Sequence, residues 1–165
     1  MRKTRSMVLA AAASVATIGL TPMTASAGNH VGAGSAEAGY CAVHLDSGQI
    51  ACAADAGQAA AQLPAQALLV AEGFDKTNFE GENYIGFYKE KECTPAYDNE
   101  RDVNYESLGA MNNRISSIRT AHRCDVKLFN GENFTGASSV WIDEARNLAN
   151  IGDGWSNRAS SIRIS

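Results

Sequence analysis

The sequence predicts an all-β domain, a sandwich of two Greek-key motifs preceded by a small extension. Three observations predict it. First, "NNRISSIRT" at Asn112–Thr120 is nearly respelled as "SNRASSIRI" at Ser156–Ile164. Second, "FDKTNFEG" at Phe74–Gly81 has a counterpart in "FNGENFTG" at Phe129–Gly136. Third, from Ala67 onward short apolar and aromatic runs are broken by Gly, Asn and Asp every 8–12 residues, the texture of a sandwich. Two similar units of 40–50 residues each bury a face against the other. Four strands per unit fit a Greek key.

The elements follow in chain order. Arg2, Lys3 and Arg5 form a basic n-region, Met7 to Leu20 is an uncharged apolar run, and Ala25-Ser26-Ala27 is a small-x-small cleavage site. Residues 1–27 read as a secretory signal peptide removed after Ala27. The apolar run is shorter than the roughly 20 residues a membrane anchor needs. The expected protein is secreted, extracellular and without a membrane partner. Residues 1–27 hold three of the 14 basic residues and none of the 18 acidic ones, so the mature chain sets 11 basic against 18 acidic residues, a formal charge of −7. A nucleic-acid partner would require a basic face, which this balance argues against.

Residues 28–66 read as an N-terminal extension. Gly28 to Gly39 is rich in Gly and Ala and is expected to be disordered. Tyr40 to Ala53 reads as a hairpin turning at Asp46-Ser47-Gly48. Asp55 is placed to cap an Ala-rich helix through Gln62, stopped by Pro64. The extension thus reads as an appendage with its own Cys pair.

The domain proper is residues 67–165, with repeat one at 67–120 and repeat two at 125–165. A competing register aligns "EGENYIG" at Glu80–Gly86 with "NGENFTG". The register from Phe74 is preferred because it aligns both aromatics and leaves Tyr84 to Tyr88 for a strand. Phe79 and Phe134 then fold over the preceding turn. Gly81 and Gly136 stand where a side chain would collide or where φ is positive. In the last strand of each repeat Ile118 and Ile162 face the core, with Ser116 and Ser160 on the same side by the period of two.

Cys41, Cys52, Cys93 and Cys124 give an even count, which in a secreted chain suggests disulfides in one of three connectivities. The sequence-local pairing is Cys41–Cys52 and Cys93–Cys124, with loop closures worth about 3 and about 4 kcal/mol. The alternative is zinc, from Cys41 with His44 and His122 with Cys124, although neither spacing completes a four-ligand pattern.

These motifs resemble the βγ-crystallin superfamily, whose mark is aromatic-x4-aromatic-x-Gly followed by Asx-Asx-x-x-Ser/Thr-Ser. Phe74-x4-Phe79-x-Gly81 and Phe129-x4-Phe134-x-Gly136 match the first motif. Asn112-Asn113-Arg114-Ile115-Ser116-Ser117 matches the second in full, and Ser156-Asn157-Arg158-Ala159-Ser160-Ser161 departs only at Ser156. Trp155 also fits the family, and Met111 stands at its place in repeat one. About 100 of the 165 residues are covered. The placing of Cys93 and Cys124 resembles the secreted crystallin-fold metalloproteinase inhibitors, which supports pairing those two.

The superfamily resemblance implies two calcium sites, bound weakly. One would combine the Arg158 carbonyl, Ser160 and Asp75. The other would combine the Arg114 carbonyl, Ser116 and Asn130; Asn112, Asn113 and Asn157 are the Asx groups available to either site. Such hard oxygens suit calcium, and only Asp75 brings a carboxylate. The alternative is that the same residues only hold the loops.

The inhibitor resemblance implies a peptidase inhibitor meeting an extracellular protease as a monomer. Thr94, Pro95, Ala96 and Tyr97 would form the inhibitory loop, since Cys93 anchors it, Pro95 stiffens it and Tyr97 offers an aromatic anchor. The alternative function is a calcium-binding structural or surface-binding protein without inhibitory activity. An enzyme is not expected. Asp143 and Glu144 are adjacent and point to opposite faces of a strand, and no nucleophile, zinc-protease or phosphate-loop motif is present.

Overall fold

The computed structural model describes residues 39–96, 103–105 and 108–165, with backbone alone for 103–105. The predicted signal peptide, the Gly/Ala segment up to residue 38 and Tyr97 lie outside the described residues.

Gly48, with φ of 72°, closes the predicted turn between strands β1 (Tyr40–His44) and β2 (Gln49–Ala53). Its N–H donates to the His44 carbonyl at 2.8 Å. Helix α1 (Ala56–Ala60) starts where predicted, with the Asp55 side chain accepting the Gln58 N–H. It is shorter than predicted. Gln62 and Leu63 donate three residues back, to Ala59 and Ala60, so a tighter turn leads into Pro64.

The domain proper supplies β3 (Leu68–Phe74), β4 (Tyr84–Lys89), β5 (Val103–Tyr105), β6 (Ser117–Thr120), β7 (Val126–Phe129), β8 (Glu144–Ala145) and β9 (Ser161–Ile164). They form a six-stranded sheet in the order β2-β1-β4-β3-β6-β8 and a three-stranded sheet in the order β5-β9-β7. Each repeat lends one strand to the other's sheet. Repeat two's β8 pairs with β6, and repeat one's β5 pairs with β9. The fold is therefore the all-β sandwich of two interlocked Greek keys that the sequence predicts. Repeat two has no full counterpart of β4 among the described residues, only bridges from Phe129 to Ser138 and from Val126 to Ile142. Ser139 explains this irregular stretch. Its hydroxyl takes the Leu128 N–H that a strand carbonyl would accept.

The core lies between the sheets. Ile115, Ile118, Val126, Leu128, Leu148 and Ile162 are fully buried there, beside Trp155. Burying each such aliphatic side chain is worth about 1.5–3 kcal/mol.

The extension is more than an appendage held by its own disulfide. Strand β1 runs parallel to β4 from Tyr40 opposite Tyr84 to His44 opposite Tyr88, and so lengthens the first sheet. Helix α1 covers that end on the outer face, where Ala42, Ala51, Ala59, Leu63 and Tyr88 make a second small core. Both disulfides join the sequence-local partners, Cys41–Cys52 and Cys93–Cys124, which removes the zinc alternative. Cys41 and Cys52 stand directly opposite each other in the hairpin. Such bridges persist in oxidising surroundings.

Candidate functional site

The doubled Ser-Ser-Ile-Arg segment gives each side chain a separate task. Ile118 and Ile162 fill the core. The second serine, whose role the sequence left unread, clips its own repeat's hairpin. Ser117 donates to the Lys76 carbonyl at 2.6 Å and accepts the Phe79 N–H at 3.0 Å. Ser161 does the same with Gly131 at 2.6 Å and Phe134 at 3.0 Å. The arginine covers the hairpin's rings. Arg119 stacks over Phe74 and Phe79, and Arg163 over Phe129 and Phe134. The Phe74 register is thus the one observed. Phe79 and Phe134 both have positive φ, 63° and 58°, held there by the serine and the stacked arginine.

Arg119 also donates to Glu72, whose other oxygen accepts the Tyr84 hydroxyl at 3.1 Å. Burial, and next the Glu72 charge, pushes the Tyr84 hydroxyl far above the usual tyrosine range. This outer-face network is structural.

The first serine turns toward the junction of the repeats, which builds two related oxygen clusters. In the first, Ser116 donates to Asn157 Oδ1 at 3.0 Å and accepts the Ser156 hydroxyl at 3.1 Å. Its backbone N–H is bound to the Phe74 carbonyl at 2.7 Å. In the second, Ser160 faces Asn113 Oδ1 and the Asn130 carbonyl, both at 3.4 Å, and its N–H is bound to the Phe129 carbonyl at 2.8 Å. Ser116 and Ser160 are only 6% and 5% exposed, so their partners are fixed. Asn113 and Asn157 adopt φ of 54° and 58°, a region asparagine tolerates better than most residues.

This grouping corrects the predicted one. Ser160 joins Asn130 of its own repeat, not Asp75, and Ser116 sits by the hairpin of Asp75, not that of Asn130. The reason lies in the strand order. β6 pairs with β3 and β9 with β7, so each serine meets its own repeat's hairpin while the loops cross between repeats. Asp75 contributes differently from expectation. Its carboxylate lies against Gly81, accepts from Asn83 and has Arg114 at 3.9 Å. Asn130 plugs its own hairpin likewise, accepting the Ala137 N–H at 2.8 Å and lying against Gly136. Arg114 and Arg158 hold the same place in the two loops, yet Arg158 stacks on Trp155 and donates to the Gly154 carbonyl.

The donor set fits a hard cation in kind. Both clusters consist of hydroxyl and amide oxygens, joined in the second by the Asn130 carbonyl, all of which calcium accepts. Asn112 Oδ1 and Asp75 Oδ1 are buried oxygens with no hydrogen-bond partner. Among the described residues no group of three or more His, Cys, Asp and Glu stands close enough to hold a metal, so a cation here would rest mainly on neutral oxygens. Three protein oxygens per cluster against a shell of six to eight describes a weak site.

The predicted loop is described through Ala96. Cys93 is buried and its N–H donates to the His122 carbonyl at 3.0 Å; Thr94 and Pro95 are exposed, and the Ala96 carbonyl accepts the Ser165 hydroxyl at 3.4 Å.

No family model and no curated protein matches the sequence. Among solved structures the chain is similar to βγ-crystallin domains. The N-terminal domain of Protein S shares 20% identity at a TM-score of 0.40, over 58% of this chain and 94% of that one. A βγ-crystallin domain from Flavobacterium johnsoniae shares 24% identity at a TM-score of 0.40, over 58% and 93%. One from Clostridium beijerinckii shares 16% at a TM-score of 0.40, over 58% and 95%.

Proposed function

We propose that this chain is a secreted, non-catalytic binding module that takes calcium weakly at the loop junction of its two repeats. The observation that carries the reading is the surplus of buried acceptor oxygens at the junction, around Ser160 and at Asn112 Oδ1. Calcium bound there would tie the loop of one repeat to the hairpin of the other. A ligand that binds only the folded state adds RT ln(1 + [L]/Kd), about 1.4 kcal/mol at ten times Kd. Melting the purified protein in chelator, in millimolar calcium and in millimolar magnesium tests this. Calcium is expected to raise Tm more than magnesium does, and an equal Tm in all three sets the reading aside.

A second reading is favoured by the anchored segment after Cys93. Exposed Thr94 and Pro95, held between a buried disulfide and the Ala96 contact, have the stiffness that lowers the entropy cost of docking. Such a loop would meet an extracellular protease. Assays against a thermolysin-like and a serine protease check it, with Pro95→Gly and Tyr97→Ala expected to weaken inhibition while Tm changes little. A protein that leaves both proteases fully active overturns the inhibitor reading.

A further inference from the structure

The two clusters are related by the repeat, yet their hydrogen-bond ledgers differ. Around Ser116 every hydroxyl proton has one acceptor in reach. Ser156 donates to Ser116 at 3.1 Å, and Ser116 donates to Asn157 Oδ1 at 3.0 Å. This relay is closed, since each proton is used and each distance is ordinary. Around Ser160 the balance fails. One hydroxyl proton faces two acceptors, Asn113 Oδ1 and the Asn130 carbonyl, both at the long distance of 3.4 Å. Asn112 holds in this repeat the motif position that Ser156 holds in the other, and its side-chain oxygen is buried and unpartnered. Acceptors that share one proton at such distances are under-satisfied, which is costly when they are buried, and a cation offsets that cost.

Charge points the same way. The Arg114 guanidinium stands 3.9 Å from the Asp75 carboxylate, in the hairpin that the first cluster is tied to through the Ser116 N–H and the Phe74 carbonyl. Together with Asn83 it engages the Asp75 carboxylate, the one carboxylate among the candidate ligands. The corresponding Arg158 has its guanidinium over Trp155, 4.9 Å from the ring centre, and donates to the Gly154 carbonyl.

We infer that the Ser160 cluster alone is the competent calcium site, and that the Ser156 hydroxyl keeps the Ser116 cluster closed. This rests on the calcium reading above and deepens it. The two places are not equivalent, and the one residue that departs from the doubled motif decides which of them works. Ser156 acts as an internal stand-in, because its proton satisfies the oxygen that a cation would otherwise satisfy.

The test is calorimetric titration of calcium into the purified protein, with Tm in chelator and in calcium as a second readout. Wild type is expected to take one calcium. Ser160→Ala should weaken binding at least tenfold and lose the calcium-dependent rise in Tm. Ser116→Ala should keep both. Ser156→Asn, which gives repeat two the Asn-Asn pair of repeat one, should open a second site and raise the stoichiometry from one to two. Tm in chelator shows whether each variant is folded, and the wild-type stoichiometry needs no variant at all. Two equivalent sites in wild type would overturn the inference and leave the calcium reading standing. So would binding that survives Ser160→Ala and disappears in Ser116→Ala. No binding by any of the four proteins would overturn both.

Discussion

The backbone N–H of Asn113 donates to the carbonyl of Ala159 at 2.8 Å, and Asn157 returns the same bond to Ile115 at 2.8 Å. Each loop is thus held by the other repeat's motif, and both donors have positive φ. The crossing explains why the sequence is doubled around these residues. A β-branched residue here would be forced into a conformation that costs roughly 1–3 kcal/mol. Asn113→Val and Asn157→Val are expected to lower the unfolding free energy from urea titration by that amount more than the Gly variants do, with the slope unchanged, since both lose the side-chain oxygen and only Val meets the strained angle. Val and Gly variants of equal stability would show that the positive φ carries no cost.

The clipping serines make a sharper case. Ser117 and Ser161 are fully buried, and each satisfies one carbonyl and one N–H of its hairpin. Removing the hydroxyl strands both groups, at about 1–3 kcal/mol for each unsatisfied buried group. Ser117→Ala and Ser161→Ala should each cost more than Ser47→Ala, whose side chain is exposed in a turn. Equilibrium denaturation of the three variants decides it, and equal stabilities would refute the clip.

Much of the fold is legible in the residues because its cues are local. The aromatic pair with its glycine marks the hairpin, and alternation places Ile118 and Ile162 inward. The Cys41–Cys52 pairing also follows from a short hairpin. What the residues conceal is pairing across long separations. Nothing local says that β1 lies parallel to β4 or that β5 and β8 exchange sheets. That exchange decides which oxygens meet, so the candidate residues around Ser116 and Ser160 were legible while their grouping was not. The second serine was visible as a repeat, yet its role needs the folded hairpin above it. The positive φ at Phe79 and Phe134 runs against local preference and is set by packing.

Acidity is expected to stabilise one seam. Burial, then the hydrogen bond and charge of Asp143, push the Asp125 carboxyl up to about 7 from its ordinary 3.8. A folded value above the unfolded one means the contribution is full below about 4 and is lost as pH rises through about 7. Asp125→Asn keeps a hydrogen-bonding group without the charge. Its Tm relative to wild type should rise between pH 5 and pH 8. A constant difference across that range would remove the carboxyl pair as the cause.

The extension should melt with the domain. Replacing Cys41 and Cys52 together by Ser removes a closure of 11 residues, worth about 3 kcal/mol. Because β1 is hydrogen-bonded along β4, the loss should appear in one cooperative transition. Far-UV circular dichroism and the fluorescence of Trp141 and Trp155, both in repeat two, should then give the same midpoint. Separate midpoints would make the extension an independent unit.

The hairpin glycines allow the last comparison, because they separate two reasons for glycine. At Gly81 a Cβ would fall on Asp75 Oδ1, and at Gly136 on Asn130 Oδ1, with φ of 147° and 78°. Both the space and the backbone angle are forbidden to alanine. Gly48 has φ of 72° but open space where its Cβ would stand. Gly48→Ala therefore carries only the backbone cost, about 1–2 kcal/mol. Gly81→Ala and Gly136→Ala add overpacking against a side chain that already plugs the hairpin, a further 1–3 kcal/mol or so. Denaturation midpoints should rank Gly48→Ala well above the other two. Pairing Gly81→Ala with Asp75→Ala should recover part of the loss, because the double variant removes the atom that the new methyl meets. If the second change recovers nothing, the collision is not what the glycine avoids, and backbone angle alone explains its place in the motif.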